Sequence, residues 1–275
     1  MIDPTKRSLS YNITIQCALD GFCFVLHDQE ADRIVDLELY QTSKTDDGTA
    51  IAEALEKSLF RRELYKKPLH SVRYIVDNRH SVLVPEELFD ERHQDSYFLF
   101  NHEPLPGYTL RHETIPGLQA VNVYAVPLRQ QQRLSKLWEN METVHRSSIF
   151  LYSTLLEDPF DSPVNAYVNV NSRSFDLAIV HDKRLAFFNS FSFSTKDDFA
   201  YFLLFALEQQ PFGTDIPVHF SGLISTHSEI LQLCKRYLKR IHFARPDGQI
   251  EVDMSLNDTP YHYYYIPYKS LLCEL

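Results

Sequence analysis

One stretch in the second half of the chain alternates apolar runs with short polar turns and then changes to helical spacing. The apolar runs lie at residues 165–170, 175–180 and 185–191. Three such runs separated by polar turns predict three antiparallel strands. Thr195 and Asp198 follow as a capping-box pair, and the apolar positions after them recur at helical spacing up to Gln210-Pro211. We therefore predict a helix directly after the third strand.

The N-terminal part of the chain has a very similar layout. Residues 11–19 alternate, residues 22–26 are apolar, and the Asp20-Gly21 pair between them predicts a two-residue hairpin loop. That loop would place Leu19 opposite Phe22 and would point Cys17 and Cys23 to opposite faces of the sheet. The later elements predicted here are a strand at 33–40, a helix that begins at 46–49, and a strand at 72–76.

The remaining patterns are shorter. Strands are predicted for YFLF at 97–100, YTLRHETI at 108–115, LQAVNVYAV at 118–126, and for 216–220 and 241–244. Pro85 and Pro127 each open a predicted helix, and Ser225 or Thr226 caps another. Residues 147–156 fit either a strand or a short helix. Five tyrosines within residues 261–268 predict a final strand whose rings pack back on the body of the protein.

Each half of the chain therefore has the order strand, strand, strand, helix, strand, helix, strand. The strand from Val72 corresponds to the strand from Ile216, at nearly the offset that separates Asn12 from Asn165. Repetition at this scale indicates one fold made twice. The acidic, proline-containing segment 157–163 marks the predicted boundary, with a first half at 1–156 and a second half at 163–275.

Composition argues against several classes of function. The net charge of −10 disfavours nucleic acid or an anionic membrane surface as the main partner. No apolar run approaches the ~20 residues that a membrane-spanning helix needs, and the first residues lack the apolar core of a signal peptide. We therefore expect a cytoplasmic protein without direct membrane insertion. The four cysteines are scattered, which fits reduced thiols better than disulfides or a zinc site.

Few residues suggest catalytic chemistry. The chain has only seven glycines, whereas phosphate-binding loops use glycine to bring backbone N–H groups close to the anion. The twelve histidines show no metal-ligand spacing, so we predict no metal site. No Ser/His/Asp or Cys/His arrangement is supported by spacing, and we predict no catalytic residues. The basic residues in 235–240 fit the C-terminal end of a helix, where the helix dipole favours cations.

The duplicated pattern resembles the superfamily of actin, sugar kinases and heat-shock ATPases, whose core is ribonuclease-H-like. It is most similar there to the actin-like component of type IV pilus assembly. Three segments, IQCALDGFCFVLHD, SVLVPEELF and AFFNSFSFSTKDDFAYFLLF, resemble a bacterial family of unassigned function with that fold. The resemblance implies an α/β protein with a duplicated ribonuclease-H-like, actin-like ATPase fold: two β-β-β-α-β-α-β halves with mixed sheets flanked by helices.

The resemblance also implies a nucleotide site made of three turns. Asp20-Gly21 occupies the first, where the superfamily has Asp-x-Gly, and is one residue shorter. Asn169-Val170-Asn171 occupies the second and lacks both the carboxylate that would organise Mg²⁺ and the glycine. Gly222 is the single glycine of the third turn, against the adenosine. The predicted remnants of the site are Asp20, Gly21, Asn169, Asn171, Ser172 and Gly222.

Three functions are compatible with these patterns. The first is a non-catalytic adaptor or scaffold, a pseudoenzyme with degenerate phosphate loops, which needs no cofactor and binds a protein partner of unknown identity. The second is a nucleotide-binding ATPase or kinase-like member that uses ATP and Mg²⁺. The third is a protein-binding module without a small-molecule ligand, which would use a sheet edge or the tyrosine-rich tail. Asp20 and the Asn169–Ser172 turn also have a simpler interpretation as ordinary turn residues.

Overall fold

The structure of the chain, a computed structural model, describes residues 10–42, 49–157, 162–245, 248–256 and 258–275. The first half begins with three antiparallel strands and a helix: β1 (Tyr11–Cys17), β2 (Gly21–Asp28), β3 (Arg33–Gln41) and α1 (Thr49–Arg61). The predicted start of this helix at 46–48 and part of the predicted boundary, 158–161, lie outside the described residues.

The first half continues with a strand that pairs in parallel with β1, then an insertion, then a return to the same sheet. In chain order these elements are β4 (Leu69–Val76), β5 (Ser81–Pro85), α2 (Gln94–Asn101), β6 (Tyr108–Ile115), β7 (Ala120–Pro127), α3 (Leu128–Ser135), β8 (Glu142–His145) and α4 (Arg146–Glu157). Strands β5, β7 and β6 form a separate antiparallel sheet of three strands. Strand β8 pairs in parallel with β4.

The second half repeats the arrangement without the insertion. Its elements are β9 (Val164–Val170), β10 (Ser174–His181), β11 (Arg184–Ser192), α5 (Lys196–Glu208), β12 (Val218–Gly222), α6 (Glu229–Cys234), β13 (Ile241–Phe243), β14 (Glu251–Val252) and α7 (Tyr265–Ser270). The strand order β11-β10-β9-β12-β13 matches β3-β2-β1-β4-β8 of the first half. The predicted duplication is therefore present as two equivalent mixed sheets.

The two halves share their central core. Helices α1 and α3 cover the outer face of the first sheet, and α5 and α6 cover the outer face of the second. Helices α4 and α7 lie between the sheets, where α4 contacts β10 and α7 contacts β1 and β2. The last helix of each half thus packs on the sheet of the other half. Strand β14 also crosses over and pairs in parallel with β3.

The first hairpin differs from the prediction by two residues. Cys17 lies opposite Phe22, and Ala18 N–H donates to the Gly21 carbonyl at 2.9 Å, so the loop is Leu19–Asp20 and not Asp20-Gly21. Because the shift is an even number of residues, the buried face is unchanged. Cys17 and Cys23 accordingly lie in different cores, as predicted.

Two strand predictions were wrong. YFLF lies within helix α2, where Phe98 is buried and Phe100 is 88% exposed. The tyrosine-rich tail forms a 3₁₀ turn, Tyr261–Tyr264, followed by α7. Its rings do pack on the body, as predicted, because Tyr261, Tyr264, Tyr265 and Tyr268 are all buried in the central core. A tail buried in this way is not free to bind a partner.

Other local predictions were confirmed or refined. Thr195 and Asp198 form the predicted capping box of α5. Residues 147–156, which fitted either a strand or a helix, are helical in α4. The cap of α6 is Ser228 and not Ser225 or Thr226, because the Ser228 hydroxyl accepts from Leu231 N–H. In the part of the chain that the structure describes, no helix is long and apolar enough to span a bilayer.

Candidate functional site

The six predicted site residues come together between the two halves. Asp20 in the β1–β2 loop accepts a hydrogen bond from the Ser172 hydroxyl in the β9–β10 loop. The first hairpins of both halves therefore touch at their tips, although they are more than 150 residues apart in sequence. One small cavity is lined by all six: Asp20, Gly21, Asn169, Asn171, Ser172 and Gly222.

The size of this cavity limits what it can hold. Its volume is about 40 Å³. A water molecule needs roughly 10–15 Å³ measured in this way, whereas pockets for ligands of drug size are about 300–1,000 Å³. The cavity therefore has space for a few water molecules. A nucleotide would require the two hairpin tips to separate.

The asparagines of the second turn are buried and only partly hydrogen-bonded. Asn169 Oδ1 accepts from the Ser221 hydroxyl at 3.0 Å. The amide Nδ2 atoms of Asn169 and Asn171 are buried and have no hydrogen-bond partner within the described residues. Both amides can donate to water or to an anion, but neither supplies the negative charge that a carboxylate would offer Mg²⁺.

Local packing explains the two glycines. Gly222 has φ +82°, and a Cβ built on it would lie 2.0 Å from the carbonyl oxygen of Val170 in the neighbouring strand β9. A Cβ on Gly21 would lie 2.5 Å from the carbonyl oxygen of Tyr40 in β3. Each position therefore needs glycine because two strands approach closely there. Neither glycine requires a nucleotide to account for it.

A buried ion cluster beside the cavity was not predicted from the sequence. Arg146, the first residue of α4, is 1% exposed. Its Nε and Nη2 donate to the two oxygens of Asp176 in β10 at 2.9 and 3.0 Å, and its Nη1 donates to Asp77 at the end of β4. One guanidinium therefore joins a carboxylate of the first half to one of the second half.

The cluster is held firmly in place. Burial disfavours the charge of Arg146, but the charges of Asp176 and Asp77 outweigh burial and hold the pKa of the guanidinium above its ordinary value. Asp176 also accepts from the Ser190 hydroxyl at 2.5 Å, and Asp77 accepts from Gln16 Nε2 at 2.7 Å. Spacing in the sequence offered no signal for this cluster, because its members come from three separate elements.

A second buried network could be mistaken for a catalytic pair. His145 Nδ1 lies 2.7 Å from the Ser147 hydroxyl oxygen, and Asn122 Nδ2 donates to that oxygen at 3.1 Å. Burial lowers the pKa of His145 below its ordinary value, with the charge of Arg146 acting in the same direction. Ser147 is only 1% exposed, so no substrate can reach its hydroxyl. We interpret the network as structural.

Metal and thiol chemistry have no obvious location in the residues described. No group of three histidine, cysteine, aspartate or glutamate side chains is placed to hold a metal ion in the described ranges. Cys17, Cys23, Cys234 and Cys273 are buried free thiols. Burial raises the pKa of the Cys234 thiol to about 12 and that of Cys273 to about 11, which disfavours the reactive thiolate.

Comparison with known proteins assigns the family. The model of the family described as "Protein of unknown function (DUF3822)" matches residues 3–241. The chain belongs to this family. The resemblance predicted a family of unassigned function, and the description of this family confirms that prediction. No curated protein sequence matches the chain.

Solved structures confirm the predicted fold for this DUF3822 member. A Bacteroides thetaiotaomicron VPI-5482 protein with an actin-like ATPase fold and unknown function is 18% identical, with a TM-score of 0.80 over 100% of both chains. The PilM-PilN type IV pilus biogenesis complex is 12% identical, with a TM-score of 0.63 over 94% of this chain and 97% of that chain. The chain therefore has an actin-like ATPase fold.

That fold implies a binding site for ATP with Mg²⁺. In this conformation the residues of this DUF3822 member do not fit ATP and its metal ion. The Asp20 carboxylate is bonded to Ser172, the second turn carries amides in place of a carboxylate, and the cavity between the turns is about 40 Å³. The three turns noted in the sequence, two of them altered, thus meet at one place, where they enclose too little space for a nucleotide.

Proposed function

We propose that this protein is a non-catalytic adaptor or scaffold that has kept the two-lobed actin-like architecture and no longer uses nucleotide. The observation that carries the proposal is the closed contact between the hairpin tips. There Asp20 accepts a hydrogen bond from Ser172, and both residues line a cavity of about 40 Å³. In this proposal the carboxylate of the first turn serves as an acceptor within the protein and does not position a metal ion.

Two interactions of different strength support a closed state. The hydrogen bond of Ser172 to Asp20 is exposed and contributes only about 0.5–1.5 kcal/mol. The Arg146 cluster, which joins Asp77 to Asp176 across the halves, is buried, and parting it would break the three charge-assisted hydrogen bonds that Arg146 donates to these carboxylates. We infer that the cluster, more than the hairpin tips, opposes the opening that a nucleotide would need.

A protein partner fits this proposal. One solved structure with the same fold is that of a complex between two proteins, PilM and PilN. The likeness shows only the fold, so the partner of the present chain is a separate question. The acidic net charge of −10 disfavours nucleic acid as that partner.

A thermal melt tests the proposal directly. The wild-type protein would be heated with Mg-ATP, with Mg-ADP and with Mg²⁺ alone, each at millimolar concentration. A ligand at ~100-fold over its Kd stabilises the folded state by roughly 2.7 kcal/mol, which gives a visible shift in Tm. We expect no nucleotide-specific shift. A shift with nucleotide that Asp20→Ala abolishes, followed by measurable ATP turnover, would refute the adaptor proposal.

One observation favours nucleotide binding as a second candidate. The Nδ2 groups of Asn169 and Asn171 are buried donors without a partner among the described residues, and they line the cavity beside Asp20. Unpaired donors at such a position suit a phosphate oxygen. Ser172→Ala, which removes the direct hydrogen bond between the hairpin tips, separates the two candidates. If this variant alone is stabilised by Mg-ATP, and Asn171→Leu in the same background removes the effect, the cleft has kept a latent nucleotide site.

A further inference from the structure

Two sheet edges face each other on the side of the molecule where the insertion approaches the second half. Strand β11 is the outermost strand of the second sheet, and β5 is an outer strand of the sheet of three; each pairs with a single neighbour in the described part of the chain. Between them lies a groove of about 420 Å³. Its strand walls are formed by Ser81, Val82, Leu83, Phe188, Asn189 and Ser190.

The hydrogen-bonding direction of β11 follows from its register. Phe193 N–H donates to the Arg173 carbonyl at 3.0 Å. From residue 193 back to residue 189, the odd-numbered residues therefore turn their backbone N–H and C=O groups towards β10. Phe188 and Ser190 therefore turn their N–H and C=O groups outward, to the groove. The Ser190 N–H donates a hydrogen bond to Asn189 Oδ1 at 2.9 Å, whereas the Phe188 N–H has no hydrogen-bond partner within the described residues.

An exposed strand edge of this length is normally protected from pairing with other chains. Here a register shift opposite Ile179 and Val180 interrupts the regular ladder before Phe187, which limits the usable edge to the part beside the groove. The wall formed by β5 restricts access on the other side. A groove of about 420 Å³ has the volume for one short extended segment and not for a second sheet.

The charge of the groove indicates what kind of segment fits. Arg79 is the one lining residue with a permanent charge, it is exposed, and it has no ion pair in the ranges that the structure describes. The other polar lining side chains are neutral amides, hydroxyls and an imidazole, among them Asn101 and His102. No carboxylate lines the groove, although the whole chain has a net charge of −10.

We infer that this groove binds an extended, acidic segment of a partner protein, which adds as a strand to β11 and places a carboxylate near Arg79. Backbone hydrogen bonds to an open edge supply affinity in this mode, and side-chain contacts supply specificity. The inference rests on the proposed adaptor function and names the chemistry of its partner. It uses no part of the cavity between the hairpin tips.

The test begins with random linear peptides displayed against the whole wild-type protein. The most enriched sequence is synthesised as the probe, and amide hydrogen exchange is measured with and without it. We expect an acidic sequence that slows exchange at Phe188. Arg79→Glu should weaken binding about tenfold or more, because one attractive contact becomes repulsive. Arg184→Glu makes the same charge change near the far end of β11 and should leave the Kd within about twofold.

A second probe isolates the strand addition itself. Methylating the backbone nitrogen of every second residue of the peptide removes the donors of one of its edges. Two such peptides are made, one methylated at the odd-numbered positions and one at the even-numbered positions. One of them should lose binding and the other should keep it largely intact, since only one edge of the peptide pairs with β11. Equal effects of both methylations, an enriched peptide that leaves exchange at Phe188 unchanged, or no enrichment at all would overturn the inference.

These outcomes are independent of the nucleotide test. If the groove binds no peptide, the further inference fails, but the result of the thermal melt with nucleotide does not change. A nucleotide-specific shift in Tm would refute the adaptor proposal, and exchange at Phe188 could still be slowed by the peptide.

Discussion

Replacing Arg146 by methionine is the sharpest test of how the two halves are held together. Arg146 is 1% exposed and donates to both oxygens of Asp176 at 2.9 and 3.0 Å, as well as to Asp77. Methionine keeps an unbranched apolar side chain at the position and removes the charge. The variant therefore leaves two carboxylates facing each other without their cation.

The expected loss is large compared with the stability of a typical protein. Removing one partner of a buried ion pair costs about 3–5 kcal/mol, because the remaining charge stays buried without compensation. The Asp176 side chain is 0% exposed and that of Asp77 is 10% exposed, so neither carboxylate regains much solvent. Native proteins are stable by roughly 5–15 kcal/mol, so we expect Arg146→Met to lose a large fraction of the stability of the wild-type protein.

Arg133 provides a matched control. It also bridges two carboxylates, those of Glu53 and Glu56, at 3.1 and 3.0 Å, but its side chain is 30% exposed. Surface pairs of this kind contribute about 0.2–1 kcal/mol, so Arg133→Met should change the unfolding free energy by no more than that. Both variants would be unfolded in urea, with circular dichroism and the fluorescence of Trp138 as the probes.

A double variant tests the cause of the loss. Asp176→Asn in the Arg146→Met background removes one of the stranded charges, and part of the lost stability should return. If Arg146→Met is no more destabilised than Arg133→Met, or if Asp176→Asn brings no recovery, the cluster does not hold the halves together as we have argued.

Three further predictions concern single positions. Gly222→Ala places a Cβ 2.0 Å from a backbone oxygen at φ +82° and should lower Tm by far more than Gly107→Ala, whose φ of +83° carries the same strain with nothing within 4 Å. Burial raises the pKa of Glu113 from 4.5 to about 7, so its contribution to stability is complete below pH 4.5 and is lost as the pH rises through 7. Glu113→Gln should remove that decline from a plot of Tm against pH, and an unchanged slope would contradict the assignment. Tyr268→Phe leaves the Ile250 N–H without its partner at 3.1 Å and should cost about 1–3 kcal/mol in urea unfolding; a loss below ~0.5 kcal/mol would mean that water replaces the hydroxyl.

Much of the fold could be predicted from local pattern. Strand alternation, the capping box at Thr195 and the repeated order of elements are local signals, and the two equivalent sheets confirm them. The failures have physical causes as well. YFLF has strand propensity but is helical in α2, where only Phe98 is buried. Short apolar runs do not distinguish the two structures, and tertiary packing decides between them.

The candidate site was predictable only in part. The six residues predicted from the resemblance do line one cavity, because equivalent hairpins of a duplicated fold meet at equivalent ends. Their meaning changed once the packing was known, since Gly222 is explained by the approach of Val170. Arg146, Asp77 and Asp176 were missed, because pairing across separate elements leaves no periodicity or motif in the sequence.

By itself the sequence determined the class of protein: a duplicated mixed α/β fold with few glycines, an acidic net charge and two of three phosphate turns altered. These properties depend on residue types and on spacing over a few positions, which the chain carries locally. Only the tertiary structure decided that the hairpin tips close on each other, that one arginine joins the halves, and that the tyrosine-rich tail is helical and not a strand. Each of these depends on which distant segments share a dry interior, where burial sets the energy of every polar contact.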